Sequence, residues 1–278
     1  MVLNLDLKIS SNVKLQNGIE MPIFGLGTWT LKGQECVQAV HWAIEMGYRL
    51  IDTAALYGNE REIGKAIQDS KIPREELFIT SKVWNSDQGY ENTLKAFEKS
   101  LNRLNLSYLD LYLIHWPVSG LRNDTWRALE KIYENNRVKA IGVSNFTIRH
   151  IDELLSKTSV IPMVNQIEFS PFLYQKELLE YCNSKNILLE AYSPLTRGRK
   201  FNNSTLRSIS LKYNKSVPQV LIRWGLQHKI IEIPKSSNRQ HIKENADVFD
   251  FELNTNDMNQ LDGLNEDFRI VDDPHTYK

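Results

Sequence analysis

The chain has 278 residues, and its 34 basic side chains balance 34 acidic ones, so the formal net charge is zero. With balanced charge, the chain has no net electrostatic field to attract nucleic acid or an anionic membrane surface. No apolar stretch reaches the roughly 20 residues that a membrane-spanning helix needs. A chain of this length can form one large core, as α/β barrels do, and we expect a single domain over residues 1–278.

A short hairpin and eight buried strands are predicted in chain order. The residues around Asn17-Gly18 alternate in polarity about the strongest short signal for a two-residue hairpin turn. Short apolar runs typical of buried parallel strands then recur, separated by stretches whose apolar spacing lengthens toward a helical period. The predicted strands are 23–27, 49–52, 77–82, 109–115, 140–144, 163–167, 187–192 and 230–234.

An eightfold alternation of strand and helix predicts a (β/α)8 barrel of the TIM type, preceded by the hairpin. The rival fold is an open doubly wound sheet, which normally carries Gly-x-Gly-x-x-Gly between its first strand and helix. Here Gly25 and Gly27 are followed by Thr28 and Trp29, so that fingerprint is missing. The barrel is therefore the favoured fold.

The cysteines and most histidines predict no metal site. Cys36 and Cys182 lie in helix-like stretches without zinc-ligand spacing, and the histidines outside the strand ends lack such spacing too. With no N-terminal leader, we expect free thiols in a reducing compartment and a cytoplasmic location.

Four polar side chains, Asp52, Tyr57, Lys82 and His115, follow or end predicted strands. The strand ends of a parallel barrel meet on one rim, so these residues are expected to converge. Tyr57 has an ordinary pKa of about 10 and needs a cation such as Lys82 to stabilise its phenolate. A buried Lys82 in turn needs a carboxylate such as Asp52. His115 can hydrogen-bond a carbonyl oxygen, so the set predicts an acid beside an oxyanion site.

Three of these residues also have a simpler interpretation. Asp52 is a residue type that caps helices, Lys82 can be a solvated rim charge, and Tyr57 can be a half-buried packing residue. A different chemistry, a Schiff-base lyase on Lys82, also fits a lysine at a barrel strand end. Four such types at consecutive strand ends favour the acid site.

Three stretches of the chain resemble signature sequences of the aldo-keto reductase superfamily. They are residues 47–54, with Glu60 and Gly64 downstream, 141–146, and the stretch that begins at 233–236. With its short loops the chain is similar to the bacterial members, such as diketogluconate and methylglyoxal-type reductases. The resemblance implies a barrel, usually monomeric, that reduces small aldehydes or ketones to alcohols with NADPH. The resemblance leaves open an alternative for this chain, a non-catalytic redox sensor that binds the nicotinamide cofactor.

The resemblance also implies roles for individual residues. Tyr57 becomes the general acid, Lys82 and Asp52 its tuning pair, and His115 the group that orients the carbonyl. A nicotinamide cofactor would lie in extended form across the rim, contacting Gly27, Thr28, Trp29, Asp52, Ser144, Asn145, Gln166, Tyr192, Ser193, Leu195, Lys235, Ser236, His241, Glu244 and Asn245. The substrate pocket would be formed by Trp29, Tyr57, Trp84, His115 and Trp116.

The chemistry of these side chains agrees with such roles. Ser144, Asn145 and Gln166 offer the donors and acceptors that a carboxamide needs, and the face of Tyr192 can hold a nicotinamide ring. Helix capping is the alternative for Ser144 and Asn145, and rim packing is the alternative for each tryptophan. Arg197, in the loop after Tyr192, is expected to face an acidic substrate, the cofactor pyrophosphate or solvent.

One position departs from the family pattern. Lys235 and Ser236 suit the adenosine 2′-phosphate of NADPH. Five residues after Ser236 the family usually has an arginine, and this chain has His241, with Arg239 two residues earlier. A histidine is mostly neutral at pH 7, whereas an arginine is a permanent bidentate donor. We therefore expect NADPH to be preferred less strictly and NADH to be used as well.

Overall fold

Parallel strands follow one another in chain order around a barrel in the computed structural model, which describes residues 7–158 and 160–277. The strands are β3 (Gly25–Gly27), β4 (Leu50–Asp52), β5 (Phe78–Val83), β6 (Leu109–Ile114), β7 (Val138–Ser144), β8 (Val164–Glu168), β9 (Leu188–Tyr192) and β10 (Ile231–Glu232). The Glu232 amide donates to Ile23 at 3.0 Å and the Gly27 amide donates to Pro234 at 3.3 Å, which joins the last strand to the first. The predicted (β/α)8 barrel is confirmed.

Within the described residues, eight helices lie between successive strands and two follow β10, and they pack their apolar faces on the outside of the barrel. They are α1 (Gly33–Glu45), α2 (Glu60–Ser70), α3 (Tyr90–Leu104), α4 (Arg122–Glu134), α5 (Ile148–Leu155), α6 (Lys176–Ser184), α7 (Ser204–Tyr213), α8 (Val217–Gln227), α9 (Arg239–Ala246) and α10 (Thr255–Asp262). Helix α1 buries Val37, Val40 and Ile44, whose spacing places them on one face of the helix. Over residues 7–158 and 160–277, no helix combines the length and apolarity needed to cross a membrane.

The N-terminal hairpin covers the amino ends of the barrel strands. Its strands β1 (Asn12–Lys14) and β2 (Glu20–Pro22) are antiparallel, with Gly18 in the left-handed region at φ 89° in the turn, as predicted. Met21 is fully buried in the same cluster as side chains from inside the barrel. The Asn17 side chain donates to the Lys139 carbonyl oxygen at 2.9 Å, just inside the start of β7. The opposite rim, where the strands end, is therefore the one left for a site.

The seam between β3 and β10 is shorter than the sequence predicted. The prediction of 230–234 reduces to Ile231–Glu232, because Pro234 has no amide hydrogen to continue the ladder. Its carbonyl oxygen still accepts from Gly27, and a Cβ at that glycine would lie 2.6 Å from the Ile233 carbonyl oxygen. Glycine is therefore required where the two strands approach.

Candidate active site

The Lys82 ammonium is the centre of a hydrogen-bonded group inside the barrel. Its side chain is fully buried near the end of β5. Its Nζ donates to Asp52 Oδ1 at 2.7 Å and Oδ2 at 2.8 Å, and to the Thr53 carbonyl oxygen at 3.0 Å. The Tyr57 hydroxyl oxygen lies 3.4 Å from the same nitrogen. Two neighbouring strands and the turn after β4 thus bring a carboxylate, an ammonium and a phenol together.

Tyr57 is positioned by the turn that follows β4. It is the last residue of a 3-10 helix, Ala55–Tyr57, and Gly58 then reverses the chain in the left-handed region at φ 63°. The buried Asn59 side chain donates to the Thr28 carbonyl oxygen at 2.9 Å. The turn that holds the phenol is therefore tied to the loop after β3.

Burial sets the protonation state of Tyr57 and of Lys82 in different ways. Burial raises the pKa of Tyr57, Lys82 lowers it and Asp52 raises it, and the net direction is upward. The sequence predicted a phenol made more acidic by the lysine, but desolvation outweighs that effect. Burial alone would lower the pKa of Lys82, yet the negative charge of Asp52 raises it overall. At neutral pH the site therefore holds a protonated phenol beside a charged ammonium.

His115 follows β6 and faces Tyr57 across the site. The two ring centroids lie 5.7 Å apart, and Trp84 packs edge-on against the other side of the imidazole at 5.1 Å. Burial, and after it the positive charge of Lys82, holds the pKa of His115 well below its usual value. The imidazole is therefore neutral at pH 7 and can donate one hydrogen bond to a bound oxygen.

A cavity of about 480 Å³ opens above these residues at the carboxyl ends of the strands. The predicted site residues that line it are Gly27, Thr28, Trp29, Asp52, Tyr57, His115, Trp116, Ser144, Asn145, Gln166, Tyr192, Ser193, Leu195 and Lys235. Arg197 also lines it. Trp84, expected in the substrate pocket, is not part of the lining, and its ring packs against the His115 ring.

Amide and hydroxyl groups form a connected set on the cavity wall at the ends of β7, β8 and β9. Gln166 Nε2 donates to Asp52 Oδ2 at 2.8 Å. The Tyr192 hydroxyl donates to Asn145 Oδ1 at 2.7 Å, and Ser144 Oγ donates to the Gln166 carbonyl oxygen at 2.9 Å. The Ser144 hydroxyl would have to rotate to donate to a ligand, whereas Asn145 Oδ1 can accept a second bond where it stands.

The residues predicted to bind the adenosine end lie around the N-terminus of α9, beyond the cavity. Lys235 is exposed at its rim and Ser236 is buried. His241 is exposed on the first turn of α9, where the Asn238 side chain caps the helix by accepting from its backbone amide at 3.1 Å. Glu244 is half-buried and Asn245 buried on the same helix. The helix N-terminus adds a partial positive charge beside these side chains.

Sequence reasoning missed a buried acid and a wall of this site. Glu190 in β9 is fully buried, and its Oε2 accepts from Gln166 Nε2 at 2.6 Å. Its position two residues before Tyr192 places both on the same strand face, so strand parity was a usable signal. Val271, from the C-terminal segment, also lines the cavity, and nothing in its local sequence indicates that it returns to the barrel.

Comparison with known proteins places this geometry in a family. The model of the family described as "Aldo/keto reductase family" matches residues 24–266, most of the chain. The chain belongs to the aldo/keto reductase family. As a member of this family it is an oxidoreductase, and the resemblance read from the sequence is confirmed.

Individual relatives of this aldo/keto reductase cover nearly its whole length. It is 56% identical over 267 residues to the glyoxal reductase of Bacillus subtilis (strain 168), with 96% of this chain and 97% of that protein covered. The crystal structure of MGS-M4, an aldo-keto reductase from a Medee basin deep-sea metagenome library, has a TM-score of 0.91 at 48% identity, covering 94% and 97% of the two chains. The Bombyx mori aldo-keto reductase AKR2E4 in complex with NADP has a TM-score of 0.90 at 36% identity, covering 96% of each chain.

Proposed function

We propose that this aldo/keto reductase reduces the carbonyl group of small aldehydes and ketones with NADPH, and that Tyr57 is the proton donor. The observation that carries the proposal is the 3.4 Å contact between the Tyr57 hydroxyl and the buried Lys82 ammonium, which Asp52 clamps at the floor of the cavity. A carbonyl becoming an alcohol needs a proton at its oxygen and positive charge nearby, and this site offers both.

The roles of the side chains follow from their protonation states. Tyr57 holds its proton at neutral pH and releases it only to an oxygen that is gaining negative charge. Lys82 then stabilises the phenolate, while Asp52 keeps the buried ammonium charged. The neutral His115 donates a hydrogen bond to the carbonyl oxygen and aligns it with the Tyr57 hydroxyl. The reactive oxygen is thus held between two donors.

The cavity wall fits the nicotinamide end of the coenzyme. When bound, the reduced nicotinamide supplies the hydride that adds to the carbonyl carbon. Both Nε2 hydrogens of Gln166 are used by carboxyl groups, and among the described residues nothing donates to its side-chain oxygen, which is thus free to accept from a carboxamide. Asn145 offers a second acceptor and Tyr192 an aromatic face. NADP in complex with the silkworm relative supports this assignment.

The adenosine end supports NADPH with some use of NADH. Lys235, Ser236 and the N-terminus of α9 can hold a 2′-phosphate, with Glu244 and Asn245 toward the adenine. His241 replaces the usual arginine, and Arg239 is drawn toward Glu45 at 3.7 Å. The 2′-phosphate therefore has fewer permanent positive partners than in most family members.

The substrate we propose is a small carbonyl compound, in keeping with the glyoxal reductase among its relatives. Trp29 and Trp116 give the cavity an apolar wall beside Tyr57 and His115. Arg197 is exposed at its edge, where it can attract a carboxylate substrate or the coenzyme pyrophosphate. A Schiff-base lyase is less well supported, because Lys82 is held as an ammonium and imine formation needs a neutral amine.

The experiment is to follow loss of reduced-nicotinamide absorbance with NADPH and with NADH against a panel of aldehydes, dicarbonyls, keto acids and keto sugars. We expect turnover with both coenzymes and a lower KM for NADPH. Tyr57→Phe should lower kcat at least about 100-fold, the scale of losing a general acid. It should leave the Kd of NADPH within about twofold, because within the described residues the hydrogen bond of the phenol hydroxyl is to Lys82. Full turnover by Y57F, or no oxidation of either coenzyme across the panel, would contradict the proposal.

A further inference from the structure

Glu190 is a buried acid that the proposed reaction does not use. It lies in β9 between Gln166 of β8 and Ile231 of β10 in the strand register. Its side chain is fully buried and its Oε2 accepts from Gln166 Nε2 at 2.6 Å. Its other oxygen, Oε1, finds no hydrogen-bond partner in the part of the chain that the structure describes. A buried carboxyl with one satisfied oxygen is costly, so its presence calls for a physical reason.

We propose that Glu190 is a positioning residue for the nicotinamide end of the coenzyme. As a neutral acid it holds the Gln166 amide with its oxygen free for the coenzyme, and as a carboxylate it favours the cationic oxidised ring over the neutral reduced ring. This inference rests on the proposed function, because it concerns the same coenzyme.

The orientation of Gln166 follows from the two carboxyl groups that flank it. Asp52 Oδ2 lies 2.8 Å and Glu190 Oε2 2.6 Å from the same nitrogen. Turning the amide over would place its oxygen against both acceptors. Without Glu190, the second N–H loses its partner and the amide loses one of the two contacts that fix it.

The charges around Glu190 explain why it is neutral. It faces Gln166 from β8, the carboxylate of Asp52 from β4, the ammonium of Lys82 from β5 and, farther off, the Tyr57 phenol. One buried cation can balance only one carboxylate. Burial, and after it the negative charge of Asp52, raises the pKa of Glu190 to about 8. The group therefore ionises just above neutral pH, well below the raised pKa of Tyr57.

Linkage converts this ionisation into a preference between coenzyme forms. A positive ring bound nearby stabilises the carboxylate, so binding of NADP⁺ releases a proton from Glu190 near pH 8, and the neutral ring of NADPH does not. The affinity for NADP⁺ relative to NADPH should then rise about fivefold to tenfold between pH 6.5 and 9.5, the scale of charges several ångströms apart in protein. NADP⁺ and NADPH make the same contacts through the 2′-phosphate, so these contacts cancel in the ratio of the two affinities.

The test measures the Kd of NADP⁺ and of NADPH by fluorescence titration from pH 6.5 to 9.5. Glu190→Gln keeps an acceptor but cannot ionise, so we expect NADPH affinity within about twofold of wild type at pH 6.5 and a ratio that no longer varies with pH. Glu190→Leu removes the acceptor and should weaken NADPH about tenfold at pH 6.5. Glu232→Gln is the matched control, because Glu232 is also a buried acid but lies on the other face of β10 against Gly225, and its pH dependence should equal that of wild type.

Calorimetry on the wild-type enzyme tests the same inference without requiring any variant to fold. Calorimetric titration at pH 8 in buffers of different ionisation enthalpy should show proton release with NADP⁺ that exceeds the release with NADPH. Equal proton release with NADP⁺ and NADPH would overturn the inference. So would an E190Q variant whose affinity ratio varies with pH as in wild type, together with an E190L variant whose NADPH affinity is unchanged. Those results leave carbonyl reduction standing. If neither coenzyme binds the wild-type enzyme, the proposed function fails instead.

Discussion

Lys82 shows how a single charged side chain is made tolerable inside an apolar barrel. Three of its contacts, two to Asp52 and one to the Thr53 carbonyl oxygen, lie at 3.0 Å or less, and its side chain is fully buried. Taking two ions out of water is expensive, so such a pair contributes little net stability. Removing one partner is a different matter, because it leaves an uncompensated buried charge.

That asymmetry gives a prediction that separates stability from activity. Lys82→Met should destabilise the fold by about 3–5 kcal/mol, because Asp52 remains buried without a cation. The double variant Asp52→Asn with Lys82→Met should recover most of this loss. Both should turn over carbonyl substrates at least about 100-fold more slowly than wild type. Urea unfolding and the NADPH oxidation assay measure the two quantities, and a double variant with wild-type turnover would remove the ion pair from the proposed mechanism.

The positions of Asp52, Lys82 and His115 were predictable because strand ends in a parallel barrel share one rim. The net pKa direction of Tyr57 was not, since the extent of its burial depends on loops whose packing the sequence does not reveal. Trp84 illustrates the same limit, because its ring packs edge-on against His115 and is not part of the cavity lining. Glu190 was predictable from its spacing to Tyr192 but lies outside the family pattern that drew attention to the other residues.

At the scale of elements, the loops after β3 and β4 act as one unit. Asn59 accepts from the Thr53 hydroxyl at 2.6 Å and donates to the carbonyl oxygens of Thr28 and Leu31. Its side chain is fully buried, so these bonds are shielded from water. The turn that carries Tyr57 is thereby fixed to the wall of the cavity.

Replacing Asn59 tests this coupling. Asn59→Ala removes three buried hydrogen bonds and should cost about 1–3 kcal/mol of unfolding free energy. Because the turn carrying Tyr57 loosens, kcat should fall about tenfold with little change in the KM for the carbonyl substrate. Asn92→Ala, on the exposed face of α3, is the control and should alter neither quantity. Thermal unfolding and steady-state kinetics provide the measurements, and an N59A enzyme with wild-type kcat would show that the two loops are positioned independently.

The sequence was enough to predict that the eight barrel strands are present and in which order. It was not enough to predict the lengths of β3 and β10. Both strands were predicted with five residues, and Pro234 and the close approach at Gly27 shorten the ladder between them. The local sequence shows which stretches are apolar and whether their spacing is that of a strand or a helix. The pairing of β3 with β10 depends instead on residues that are about 200 positions apart in the chain.

At the scale of the whole molecule, the C-terminal segment is bound back onto the barrel. Glu168, at the end of β8, accepts from the amides of Ile270 at 2.6 Å and Val271 at 3.2 Å. Farther along, the Tyr277 ring stacks on Trp116 with centroids 5.3 Å apart. Val271 of this segment lines the cavity, so the segment supplies part of the wall at the rim where the strands end.

The stacked pair should affect substrate binding more than chemistry. Tyr277→Ala removes the ring that supports Trp116 and should raise the KM for aromatic aldehydes about fivefold, in line with the worth of one aromatic pair. The kcat should remain within about twofold, since neither ring contacts Lys82. Tyr277→Phe retains the stacking and is expected to behave as wild type in the same kinetic assay. A Y277A enzyme with unchanged KM would place the tyrosine outside the substrate's reach.

The hairpin over the amino ends of the strands has one more consequence. Over residues 7–158 and 160–277, the hairpin covers the amino end of the barrel, and the cavity at the carboxyl end opens beside the buried ammonium. A ligand bound in that cavity would cover this opening. In the reaction proposed above, the phenol of Tyr57 gives its proton to the product, and the same opening is the route by which that proton can be replaced once the product has left.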